Sequence, residues 1–160
     1  MTTAVKKTTL DATDWQILAE LQKDARKTYQ EIGDSVGMTR PAVRERVLRM
    51  EDSGVITGYR AEVDPSAIGK AMHAMLSFKF NSDWQFQTQP NDTLEKLLSA
   101  TPEVVCYWDT YGDLDFLIEV AFSSKEGLDE FLEKLRRYGF VRTHLIVKSA
   151  RTRYNRTEEK

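Results

Sequence analysis

The sequence predicts an α+β protein of two parts. Three observations carry that expectation: helical spacing of apolar residues over the first sixty positions, alternating spacing after residue 70, and a charge balance that shifts between the two. Residues 1–63 are neutral overall, residues 64–147 carry −5 and residues 148–160 carry +3, within a chain of net charge −2. Such unevenness suggests domains with different partners. At 160 residues, of which 41% are hydrophobic, the chain has material for one ordinary domain or two small ones.

The elements follow in order. After an N-terminus expected to be flexible over residues 1–9, Asp11 is placed to cap a helix over "ATDWQILAELQKDA", with Trp15, Leu18 and Leu21 at helical spacing and Ile17 beside them. A short second helix starts near Thr28, turns Tyr29, Ile32 and Val36 inward, and is ended by Gly37 in a left-handed turn. Thr39 caps a third helix from Arg40 to about Asp52, where Gly54 stops it. "VITGYRAEV" then reads as a β-branched and aromatic hairpin bending at Gly58. Residues 64–70, with Pro65 and Gly69, form the natural linker. From residue 71 to 150 the order is strand, helix, strand, strand, helix, strand, with "GD" between the middle strands. That is the split βαβ, ferredoxin-like pattern: a four-stranded antiparallel sheet with two helices on one face. Residues 151–160 are a basic tail.

The third helix raises a functional question, because Arg40, Arg44, Arg46 and Arg49 crowd it in a chain that is acidic overall. Helix, short turn with glycine, then a capped helix is helix-turn-helix geometry over about residues 29–48, in which the second of the pair enters the major groove. Val43, Val47 and Met50 share one face and should pack inward. The other side carries Pro41, Arg44, Glu45, Leu48 and Arg49, with Arg40 and Arg46 nearer the flanks. An arginine can take a phosphate or fork onto guanine, and Glu45 can accept from cytosine. The expected DNA-contact set is Thr28, Tyr29 and Gln30 on the second helix; Thr39, Arg40, Pro41, Ala42, Arg44, Glu45, Leu48 and Arg49 on the third; and Thr57, Tyr59 and Arg60 on the hairpin, which acts as a wing. The competing reading is a solvated amphipathic helix.

Other classes find little support. The chain has no zinc-type Cys/His spacing, no Gly-rich phosphate loop and no nucleophile motif, so neither metal nor cofactor is expected and catalytic residues are none. Cys106 reads as a small hydrophobe buried on a strand, and His73 and His144 as packed or surface residues. The polar start "MTTAVKKTTL" and the lack of a long apolar run give a cytoplasmic expectation.

"LDATDWQIL", "RVLRMEDSGVITGY" and "GDLD" together resemble the Lrp/AsnC (feast/famine) transcription regulators, over about residues 10–154. The resemblance implies a prokaryotic, nucleoid-associated regulator: a winged helix-turn-helix over 10–63 and a ferredoxin-like, RAM/ACT-like domain that dimerises through its sheet. It also implies that dimers often assemble to octamers, and that a small effector, commonly an amino acid, binds between regulatory domains. The effector site carries over to Tyr111, Gly112, Asp113, Leu114 and Asp115; the alternative is a plain tight hairpin, for which Gly-Asp is a common pair. Double-stranded DNA with a roughly palindromic operator is the expected macromolecular partner.

The departures are Leu48 where a basic residue is usual, "YGFV" at 138–141, and a long polar connection over 81–92 containing Trp84 and Phe86. Arg151, Arg153 and Arg156 of the tail either touch phosphates or solubilise the end. Two alternatives stand beside the regulator: an enzyme resembling the siroheme decarboxylases, and a ligand-binding oligomer that does not touch DNA.

Overall fold

The computed structural model describes residues 9–81 and 90–148, and the chain divides into two compact units on either side of Glu62 and Val63. Trp84 and Phe86, and the tail arginines Arg151, Arg153 and Arg156, lie outside the described residues.

The first unit holds α1 (Ala12–Lys23), α2 (Tyr29–Val36) and α3 (Arg40–Asp52). Each start has a local cause. Asp11 caps α1 in a reciprocal box with Asp14: the Asp14 N–H donates to Asp11 Oδ1 at 2.8 Å, and the Asp11 N–H donates to Asp14 Oδ2 at 3.1 Å. Thr28 and Glu31 repeat the device on α2. Thr39 occupies the cap position of α3, but its side chain makes no capping hydrogen bond; Pro41, in the first turn, needs no N–H partner there.

Gly37 ends α2 at φ +72, as its position suggested. The residue that closes the turn is Gly33. A Cβ on it would sit 2.5 Å from the Met38 carbonyl oxygen, whose own backbone N–H donates to Gly33 O at 2.9 Å.

Ile17, Ile32, Val43, Val47 and Met50 are fully buried and form the core of this unit with Leu21. Each such side chain contributes about 1.5–3 kcal/mol of transfer free energy. On α1 the inward stripe is Asp14, Ile17 and Leu21, displaced from the expected Trp15, Leu18 and Leu21; Trp15 is only partly covered.

The expected hairpin over 55–63 is not formed. No strand occurs there; Val55 and Ile56 pack on the helical core, and the Ile56 N–H donates to Met50 O. Their β-branched side chains serve helix packing rather than a ladder.

The second unit opens with a 3₁₀ turn (Ser66–Ile68) and continues β1 (Met72–Phe80), α4 (Pro90–Ser99), β2 (Val104–Asp109), β3 (Phe116–Phe122), α5 (Lys125–Arg136) and β4 (Gly139–Leu145). The sheet is antiparallel in the order β2-β3-β1-β4. Leu76, Phe78 and Phe80 of β1, with Phe116, Ile118 and Val120 of β3, face Leu94, Leu98 and the buried side of α5. The opposite sheet face is open, and alternation places His73, Met75, Ser77 and Lys79 on it. β4 ends at Leu145, short of the expected residue 150, and β2 carries a bulge between Val104 and Cys106.

Candidate nucleic-acid interface and effector loop

Burial of Val43, Val47 and Met50 turns the charged side of α3 outward. The four arginines then divide. Arg46 donates from Nη1 to Asp11 Oδ2 at 2.6 Å and to Asp14 Oδ1 at 2.8 Å, while Arg49 donates from Nη2 to both oxygens of Asp14 at 2.8 and 2.9 Å. Asp14 is 1% exposed and receives three of these four bonds on one carboxylate. The Arg46 guanidinium beside Asp11, with the Asp14 backbone N–H, holds the Asp11 carboxyl below its usual range; Arg46 in turn is held more firmly protonated, first by Asp11 and then by Asp14. Arg40 and Arg44 are exposed and form no ion pair among the described residues.

The expected contact residues fall into groups. Pro41, Ala42, Arg44, Glu45, Leu48 and Arg49 line one surface depression on α3. Thr28, Tyr29 and Gln30 of α2 meet Arg40 and Tyr59 around another, of about 630 Å³. Gln30 is tied to Asp34 at 2.7 Å, and Glu31 is held below its usual pKa chiefly by the Thr28 backbone N–H. Thr57 and Arg60, placed on the expected wing, instead border a groove along α1 with Trp15 and Leu18. Tyr59 donates its hydroxyl to Glu51 Oε1 at 2.8 Å, and burial together with that carboxylate raises the phenol pKa. Thr39 lines none of these three depressions.

In the second unit the stretch between β2 and β3 is a six-residue loop over 110–115, wider than a tight Gly-Asp hairpin. Asp115 builds it. Its N–H donates to Phe78 O at 2.9 Å, its Oδ2 accepts the Phe80 N–H at 2.7 Å, and its carbonyl accepts the Thr110 N–H at 2.9 Å. Asp115 is therefore engaged with the neighbouring strand, whereas Asp113 and Tyr111 are exposed and Gly112 sits at φ 132. Asp113 and Leu114 border a concavity of about 350 Å³ with Ser77, Lys79, Phe140, Val141 and Arg142. These β1 and β4 partners were not visible in the sequence, where they lie more than thirty residues on one side of the loop and about thirty on the other.

His73 Nε2 lies 2.8 Å from Glu119 Oε1, and His144 is exposed on β4. Cys106 is half-buried, not fully buried, and its thiol donates to Glu119 Oε2 at 3.3 Å. Among the described residues no group of three His, Cys, Asp or Glu side chains is arranged to hold a metal ion, and no helix is long and apolar enough to cross a membrane.

A helix-turn-helix unit with an outward cationic helix, followed by a βαββαβ unit with an open sheet face, defines a two-unit regulator-type architecture. Comparison with known proteins narrows it. The AsnC-type helix-turn-helix domain matches residues 10–51, and the Lrp/AsnC ligand binding domain matches residues 85–155. The HTH-type transcriptional regulator LrpB of Bacillus subtilis (strain 168) is 33% identical over 146 residues, spanning 91% of this chain and 94% of that protein. The leucine-responsive regulatory protein of Rhizobium meliloti (strain 1021) is 33% identical over 148 residues, spanning 89% and 92%. In fold, the solved structure of B. subtilis LrpC covers 91% of this chain and 100% of its own, with a TM-score of 0.79 at 24% identity. The chain belongs to the Lrp/AsnC family of transcriptional regulators.

Proposed function

We propose that the protein is a sequence-specific regulator that grips a roughly palindromic operator as a homodimer, through Arg40, Arg44, Glu45 and Leu48 of α3 and the N-terminal turn of α2. The observation that carries this reading is the division of the arginines. Two anchor α3 to α1, and two remain exposed beside Glu45 and Leu48 with no ion-pair partner among the described residues. A merely solvated helix has no need to be braced from behind by a buried aspartate while its front stays cationic.

The open sheet face, bearing Trp108 at 47% and Phe140 at 73% exposure, is the surface a second copy would cover, and assembly of four dimers into an octamer builds on that pair. A small-molecule effector, an amino acid, binds beside Asp113 at the subunit interface and biases one assembly or DNA affinity over another. The setting is the cytoplasm, in association with the nucleoid, and the chain acts without catalysing a reaction.

The test is duplex binding followed by fluorescence anisotropy across a salt series, wild type beside Arg40→Ala/Arg44→Ala, with Arg46 and Arg49 left in place. If both arginines hold phosphates, the slope of log affinity on log salt should become shallower by about 0.9 for each phosphate no longer neutralised, per subunit. An unchanged slope in a folded double variant refutes the interface.

A further inference from the structure

The concavity beside Asp113 has a charge pattern that discriminates among amino acids. Ser77 pairs with Arg142 and Lys79 pairs with Phe140 across the antiparallel β1/β4 ladder. Leu76, Phe78 and Phe80 are buried on the helix side, so Lys79 and Arg142 share the open face as diagonal neighbours, about 7–8 Å apart by sheet geometry. Both are exposed, and the side chain of neither meets a carboxylate among the described residues. Like charges so placed repel, and an anion between them turns that repulsion into two attractions. Asp113 borders the same space and is likewise without an ion-pair partner among the described residues. Phe140, Leu114 and Val141 supply the apolar walls, and at about 350 Å³ the concavity sits at the small end of the ~300–1,000 Å³ typical of ligand pockets.

Two cations and one anion complement a ligand with two carboxylates and one ammonium group. A neutral amino acid, with one of each, leaves one of the two cations unanswered. We infer that the effector is an amino acid with an acidic side chain: Asp113 receives the α-ammonium group, while Lys79 and Arg142 receive the α-carboxylate and the side-chain carboxylate. The arginine can do so with a forked pair of hydrogen bonds and the lysine as a point charge. Ser77, whose hydroxyl donates at 3.5 Å to the Arg142 carbonyl, sits opposite Arg142 and two residues before Lys79 on the same face, and can turn that hydroxyl to a carboxylate instead.

This inference rests on the effector reading proposed above, and the experiment separates the two. Calorimetric titration of the full chain with L-glutamate and L-aspartate is set against L-glutamine and L-asparagine, which keep the shape and lose one charge. L-leucine, L-methionine and glutarate, a dicarboxylate without the amine, complete the series. The acids should bind about tenfold more tightly than their amides, the low end for a hydrogen bond to a charged group.

Lys79→Met and Arg142→Met should each narrow that ratio toward one, and Lys79→Arg should restore it. Asp113→Asn should weaken acid and amide alike and narrow the gap between glutamate and glutarate. Thermal melts of each variant exclude unfolding as the cause. Amides binding as tightly as acids, or leucine or methionine binding with dependence on Asp113 and no acidic preference, overturns the charge assignment and leaves the effector reading standing. No heat with any amino acid, from protein that still binds DNA, overturns both.

Discussion

Replacing Asp14 is the sharpest test of how the first unit is held together. Its carboxylate is buried, closes the capping box of α1 on the Asp11 N–H, and accepts three hydrogen bonds from Arg46 and Arg49 of α3. Breaking a wholly buried ion pair by removing one partner costs about 3–5 kcal/mol. Here the penalty is smaller, because the Arg49 side chain is 54% exposed and regains water, while Arg46 keeps its 2.6 Å contact with Asp11. Loss of one half of the cap adds roughly 0.5–1 kcal/mol. The expected cost of Asp14→Ala is therefore about 2–3 kcal/mol, which at roughly 4–8 °C per kcal/mol for a unit of this size is a fall of about 10–20 °C in its melting temperature.

Asp14→Asn should do nearly as much damage, since the amide turns donors toward guanidinium donors. Asp11→Ser, which keeps a capping acceptor and sacrifices only a solvent-screened ion pair, should lower the melting temperature far less than either change at Asp14. Circular dichroism melts of the full-length variants, with binding of duplex DNA measured beside them, are the assay. If Asp14→Asn melts like wild type while its DNA affinity is also unchanged, the carboxylate is not the anchor of α3 and the division of the arginines loses its meaning.

Two further outcomes follow from the same geometry. Gly33→Ala forces a Cβ against the Met38 carbonyl oxygen at 2.5 Å, a backbone atom that cannot swing away; a loss of about 1–3 kcal/mol and weakened DNA binding are expected from denaturant titration and anisotropy. Glu20, hydrogen-bonded by Lys23 and Lys27, is held down to about 2 from an ordinary 4.5. A depressed carboxylate stabilises the fold fully above its unfolded value and loses that contribution as pH falls toward the folded one. Glu20→Gln should therefore flatten the pH dependence of the melting temperature between about 4.5 and 2. At neutral pH it should cost no more than about 1 kcal/mol.

What was legible in the sequence was what local chemistry dictates. The cap at Asp11, the start of α2 near Thr28, the left-handed stop at Gly37, the inward Val43, Val47 and Met50, and the alternation through β1 all express rules that act within a few residues. The misses involve partners far apart in the chain. Nothing near Arg46 or Arg49 announces that a carboxylate more than thirty positions earlier will claim them, so Arg49 looked as available as Arg40 and Arg44. Val55 and Ile56 have strand propensity, and tertiary packing against the helices overrode it. Asp113 and Asp115 look equivalent in "GDLD"; only the approach of the β1 end, which gives Asp115 the Phe80 N–H, separates a building residue from an exposed one. Lys79 and Arg142 become neighbours through a strand register that no short window contains.

The braced α3 has a further consequence for how such a protein changes its targets. Positions 40, 44, 45 and 48 project outward and contribute little to holding the helix, so substitutions there alter stability by only about 0.5 kcal/mol in either direction. Positions 46 and 49 are tied to the buried carboxylate and are not free to vary in the same way. One thirteen-residue helix thus keeps its address and its mooring on separate residues, and a library confined to the four outward positions would search new operators while leaving the fold intact.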